Sequence, residues 1–206
     1  MLPPERSIPL PRPARGIRRE LARKAFHMSS VSLPLLAWFL PGAWAAFLLV
    51  PLAAVAVATD WTRLRFRAPR YHFLRHTRTM LRPHERHRFA GATYMAIAYA
   101  AAILLFPRPI AIVAMLYNGL GDAAAALVGK RFGRHRTSWG KSWEGFGAAL
   151  AVNLAAGFLV PGLTAPAAVC GAVAGAVLEF LPLPLDDNLR VCLGGGAAAW
   201  AAGVLL

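Results

Sequence analysis

The 206-residue chain reads as an all-α protein, a polytopic membrane helical bundle of about seven transmembrane helices. Three observations predict this. Hydrophobic residues make up 57% of the chain and charged residues only 16%, with a mean hydropathy of +0.48. Soluble domains carry about 25% charged and 45–50% apolar residues. The apolar residues fall into runs near the ~20-residue length that a membrane helix needs. Pro/Gly breaks and strongly basic segments separate those runs.

The expected spans are 28–41, 43–59, 90–106, 109–128, 143–161, 165–181 and 189–206. The first is short and contains Pro34, so it either starts further back, near Phe26, or is re-entrant. Pro41-Gly42, Pro107-Arg108-Pro109 and Pro161-Gly162 mark tight turns between neighbouring spans. The last three spans are rich in Gly and Ala, including Gly171, Gly175 and Gly194-Gly195-Gly196. Small residues let membrane helices approach closely, in a tight bundle or at a homo-oligomer face. Residues 1–18 are expected to form a mobile Pro/Arg-rich N-terminus, since they lack the apolar core of a signal peptide. Residues 19–206 are expected to form a single transmembrane domain, catalytic if its polar residues carry chemistry.

Charge sets the orientation. Of the 23 Lys and Arg residues, 21 precede residue 28 or lie in 60–89 and 129–142. Those three segments share one side of a seven-span chain, and the positive-inside rule makes that side cytoplasmic. The expectation is a multi-pass protein of the cell membrane with its active face towards the cytoplasm. The net charge of +14 suits anionic headgroups or a phosphate-bearing substrate, and not nucleic acid, because the cations sit between apolar runs. Cys170 and Cys192 are isolated thiols inside those runs and form no metal or disulfide framework.

Acidic residues are few, and a carboxylate within a span needs a partner or a task. Asp122 lies about seven residues inside the end of the fourth span, roughly 10 Å deep. Asn118 is one turn earlier on the same face, with Gly119 and Gly121 leaving room for another group. A structural ion pair, a metal ligand and a general base are all open to Asp122. The loop after it holds Gly140-Lys141-Ser142-Trp143-Glu144. It is not a P-loop, because position 135 is His where that motif needs Gly. A glycine, an ammonium, a hydroxyl and a helix start together still suit an anionic phosphate. Arg19, Arg23 and His27 form a stripe at four-residue spacing, with Lys24 alongside. Asp186-Asp187-Asn188 opens the last span, where Asn188 is a natural N-cap. Its oxygens also suit Mg²⁺. The arginine-rich loop 60–89 reads mainly as headgroup contact, with Asp60 and Glu85 standing out as acids.

In order along the chain come Arg23-Lys24-Ala25-Phe26-His27, Glu85 followed by Gly91-Ala92-Thr93-Tyr94, Gly121-Asp122, Gly129-Lys130-Arg131-Phe132-Gly133, Gly140 to Gly145, and Leu185-Asp186-Asp187-Asn188. From about Arg19 onwards this resembles the CTP-dependent lipid kinase family of dolichol kinase, phytol kinase and the yeast-type diacylglycerol kinase. Asp60 stands where that family leads one to expect glutamate. The CTP:phosphatidate cytidylyltransferases are the rival resemblance, but their Pro-Gly-His-Gly-Gly and Asp-Arg-x-Asp segments are missing.

The resemblance implies transfer of the γ-phosphoryl group of CTP to the hydroxyl of a lipid alcohol: polyprenol, phytol-like or diacylglycerol. It implies Mg²⁺ as cofactor, with Asp122, Asp186, Asp187 and Asn188 as metal residues. Arg23, Lys24, Lys141, Ser142, Glu144 and Asn118 would handle nucleotide phosphates. Asp122, His27 and Lys141 would be the catalytic residues, with Asp122 or His27 acting on the lipid hydroxyl. Asp60, Glu85 and Glu179 are further candidates. A non-enzymatic transporter is a third reading, disfavoured because the polar residues gather towards one face instead of mid-membrane.

Overall fold

The computed structural model describes residue 25 and residues 27–77, 81 and 84–205. Among these residues every regular element is helical, apart from one isolated bridge between Arg136 and Ser142. The order is α1 (Ser32–Phe39), α2 (Gly42–Arg65), α3 (Arg67–Thr77), a 3₁₀ turn (His84–Arg86), α4 (Gly91–Leu105) and α5 (Arg108–Leu116). A π-helical turn (Tyr117–Gly121) then leads into α6 (Asp122–Phe132), followed by α7 (Trp143–Leu159), α8 (Ala165–Phe180) and α9 (Asp187–Leu205).

Among the described residues, two helices are long and apolar enough to cross a membrane by themselves: α2, and the 25-residue rod Arg108–Phe132 made of α5, the π turn and α6. The rod is about 37 Å long at 1.5 Å per residue, against about 30 Å of hydrocarbon. Helices α4, α7 and α8 are shorter apolar helices. The expected first span, 28–41, is corrected. Helical residues 27–29 start further back, as one of the two alternatives has it, but a turn at Ser30-Val31 interrupts them and the helix that follows covers only Ser32–Phe39, eight residues. At about 12 Å it cannot cross alone.

Residues 27–59 nevertheless make a hairpin. At one end, His27 lies against Asn118 and Asp122. At the other, Arg108 donates to the carbonyls of Ala37, Trp38 and Leu40, satisfying the C-terminal end of α1. Helix α2 then returns to the first end, where Asp60 accepts from the backbone N–H of Ala90. The hairpin therefore brings the start and finish of this segment to the same end of the bundle.

The rod runs through the centre. Its π turn contacts α5, α6, α7, α8 and α9. Tyr117 and Tyr99 are fully buried and satisfy their hydroxyls on the carbonyls of Ala168 and Met115. The glycines of the last two helices serve close packing. A Cβ on Gly171 would stand 2.7 Å from the Ala199 methyl and 3.1 Å from the Gly195 carbonyl.

The basic segment after residue 60 is more structured than a headgroup-contact loop. It contains α3, which carries cations and no buried residue. It also contains Arg63, which is 1% exposed.

Candidate functional site

The polar ends of the helices converge on two adjoining cavities of about 310 and 260 Å³. Asp122 and Asp187 line both. The first cavity has apolar walls from α2, α3 and α4, among them Ala56, Phe73, Ala92 and Met95. Its described polar residues include His27, Asn118 and Asn188, and the carboxylates Asp60 and Glu85. The second cavity is lined by Lys130, Arg136, Lys141 and Ser142, with Glu179 as a further carboxylate.

Asp122 opens α6 directly after the π turn. Its Oδ2 lies 3.4 Å from His27 Nε2, which also stands 3.4 Å from the Asn118 carbonyl. Both neighbours are oxygen acceptors, so a proton placed on Nε2 would donate to either of them. Asn118 Nδ2 donates to Asn188 Oδ1 at 3.2 Å, and Asn188 Nδ2 donates to the Gly91 carbonyl at 3.1 Å. These bonds tie the π turn, α9 and α4 together around the first cavity.

The cap of α9 differs from expectation. Asp186, not Asn188, caps it, accepting the Asn188 N–H and side-chain amide, each at 3.0 Å. Asp186 lines neither cavity. Asp187 is held by Arg190, whose guanidinium is otherwise anchored on the carbonyls of Leu181 and Leu183. Its Oδ2 faces Lys141 Nζ at 3.9 Å. Lys141 also makes a direct ion pair with Glu179, which is 5% exposed.

The loop that presents Lys141 is closed tightly. Arg136 and Ser142 form the bridge, Thr137 N–H donates to the Lys141 carbonyl at 2.8 Å, and Trp143 N–H to the His135 carbonyl at 3.0 Å. Gly140 turns the chain at φ +87°, in the region that favours glycine. Ser142 caps α7 by accepting from Gly145 N–H at 3.1 Å. Glu144 lines neither cavity. Its Oε1 instead accepts from the Arg134 and His135 N–H groups at 3.1 Å and from His135 Nδ1 at 2.8 Å. Glu144 is thus a clamp on the loop.

Asp60 and Glu85 act as a latch on the first cavity's wall. Asp60 Oδ1 accepts from Arg63 Nε at 2.5 Å, and Arg63 donates onward to the carbonyls of Glu85 and Arg88. Glu85 Oε1 accepts from Gly91 N–H at 3.0 Å at the start of α4. Arg23 and Lys24 lie outside the described residues.

Sequence reasoning missed four cations: Lys130 and Arg136 in the second cavity, and Arg63 and Arg190 as buried partners. The last two carried a signal, since each stands three residues after an aspartate on a helix.

Among the described residues, no three His, Cys, Asp or Glu side chains stand as a ready-made metal cage. Mg²⁺ asks for less, since one or two carboxylates plus substrate phosphates suffice. The carboxylates facing the second cavity fit that pattern, whereas Asp186 and Asn188 are taken up by capping and helix-to-helix bonds.

The family model described as the cytidylyltransferase family matches residues 19–185. A phytol kinase of Synechocystis sp. is 33% identical over 207 residues, covering 90% of this chain and 81% of that protein. An uncharacterized protein of Rickettsia prowazekii is 27% identical over 184 residues, covering 84% of this chain and 90% of that protein. No solved structure matches the chain. The chain belongs to the cytidylyltransferase family, the family that contains the CTP-dependent lipid kinases.

Proposed function

We propose that this protein is a membrane lipid kinase that moves the γ-phosphoryl group of CTP to the hydroxyl of a long-chain lipid alcohol. One observation carries the reading: an apolar cavity with carboxylates and a basic cavity meet at Asp122 and Asp187. The described lining of the first cavity suits a neutral alcohol, because its charged groups would repel a lipid phosphate. The second suits a triphosphate. The relative named phytol kinase makes a phytol-like isoprenoid alcohol the first substrate to assay, ahead of polyprenol and diacylglycerol.

Phosphoryl transfer depends on positioning and on neutralising charge, with little covalent work for the protein. Lys141, Arg136 and Lys130 face the phosphates from one cavity. Asp122 orients the lipid hydroxyl at the seam and accepts its proton, while the His27 N–H holds the carboxylate in place. Magnesium, held by Asp187, would neutralise charge on the phosphate oxygens. The alcohol oxygen attacks phosphorus, the bond to the bridging oxygen breaks, and CDP leaves. In this reading the bundle crosses the cytoplasmic membrane, with the site on the cation-rich cytoplasmic side.

Purified protein in nanodiscs is incubated with Mg²⁺, CTP and either phytol, a polyprenol, diacylglycerol or phosphatidate. CDP and a phosphorylated alcohol are expected, with activity lost in Asp122→Asn and Lys141→Ala proteins that still fold. Pyrophosphate and a CDP-lipid from phosphatidate would refute the kinase reading in favour of the transferase.

A further inference from the structure

We infer that Glu179 and Asp187 together form a divalent-cation site, and that the Lys141 ammonium occupies it when no such ion is bound. The inference deepens the kinase reading and rests on it for the phosphates that complete the ion's shell.

Glu179 lies at the end of α8, and Asp187 opens α9. Both face the basic cavity, and Lys141 Nζ sits between them. It pairs directly with Glu179 Oε1 and stands 3.9 Å from Asp187 Oδ2. Glu179 is the more informative of the two. It is 5% exposed, yet its Oε2 is buried without any hydrogen-bond partner. An unsatisfied buried charge is costly, so this oxygen is open to a further positive partner at the edge of the cavity. A cation with several coordination positions uses both oxygens, and a lysine ammonium already shows that positive charge is accepted there. Asp187 keeps Oδ1 on Arg190, which fixes its orientation and leaves Oδ2 turned into the cavity.

The same geometry explains how one lysine serves two states. Without the ion, Lys141 neutralises two carboxylates that would otherwise repel each other. When the ion binds, the ammonium is displaced into the cavity, where nucleotide phosphates lie. The carboxylates then meet a dication and the phosphates meet the lysine, so the ion and the nucleotide favour each other's binding.

The test uses Mn²⁺ alone as probe, titrated into the full-length protein in detergent and followed by the paramagnetic resonance of free Mn²⁺. Glu179→Gln is expected to weaken binding by at least about tenfold, the scale seen when groups around a metal are removed. Lys141→Met is expected to tighten binding a few-fold, because the competing ammonium is gone. That is a gain no misfolded protein would show. Lys130→Met, which removes a cation from the same cavity, is expected to change binding less. Unchanged affinity in Glu179→Gln overturns the inference. So does a Lys141→Met protein that binds no tighter than wild type, or no tighter than Lys130→Met. The titration contains no CTP and no lipid, so it stands apart from the kinase assay. A protein that made a CDP-lipid but showed this Mn²⁺ pattern would lose the kinase reading and keep the site.

Discussion

Replacing Asp60 with asparagine separates support of the first cavity from chemistry. The carboxylate is 2% exposed and both oxygens are occupied, Oδ1 by Arg63 Nε at 2.5 Å and Oδ2 by Ala90 N–H at 2.6 Å. Asparagine removes the charge that balances a 1% exposed guanidinium and turns an N–H₂ donor towards one of these two donors. Breaking a buried pair by removing one partner costs about 3–5 kcal/mol. Arg63 keeps the carbonyls of Glu85 at 3.1 Å and Arg88 at 2.8 Å, and it lies 4.7 Å from the Phe73 ring centroid. The lower end, about 3 kcal/mol, is therefore expected. For a chain of this size that lowers the unfolding midpoint by about 6–12 °C. The midpoint is read by thermal unfolding of the purified protein in one detergent. In kinetics, KM for the alcohol should rise while KM for CTP holds, because Asp60 lines only the first cavity. The double variant Asp60→Asn with Arg63→Met should recover part of the loss, since no buried charge is then left alone. A midpoint within 2 °C of wild type, or a rise in KM for CTP equal to that for the alcohol, would refute the reasoning.

Three further outcomes follow from the same geometry. Ala56→Phe places a ring against the first cavity of about 310 Å³, and should raise KM for the alcohol in steady-state assays without changing KM for CTP. Gly140→Ala meets no atom within 4 Å, so its cost is conformational only, about 1–2 kcal/mol for a side chain in left-handed geometry. It should raise KM for CTP through the position of Lys141. Glu144→Gln weakens the acceptor that gathers Arg134 and His135. Limited proteolysis should then cut faster within 133–142, with KM for CTP rising more than KM for the alcohol.

Much of this site was legible because charge is scarce in an apolar chain. Asp122, Lys141 and Asp187 could be picked out individually, and the structure brings all three to the same pair of cavities. The breaks at Pro41 and Pro161-Gly162 likewise fall between helices. What could not be read was how neighbouring polar groups share their bonds. Asp186 and Asn188 both had oxygens fit for capping, and only the backbone path of Leu181 to Asp187 decides between them. Arg63 was hidden among nine arginines of similar appearance, though its burial depends on a single aspartate one turn earlier. The short α1 was hard to read for another reason, since it relies on Arg108, 68 residues further along the chain than Leu40, to satisfy its last carbonyls.

The π turn at Tyr117–Gly121 makes the central rod two pieces with a phase offset between them. A π turn holds an extra residue compared with regular α geometry, and one residue corresponds to about 100° of rotation. The lower piece, α5, is locked into the core by Met115 and its neighbours, while the upper piece carries Asp122 and the start of the basic loop. The aim of the Asp122 carboxylate is thus set by chain length within five residues, separately from the packing below. Natural selection can re-aim the upper piece by a single deletion without rebuilding the core, and the same deletion would turn Asp122 away from both cavities at once.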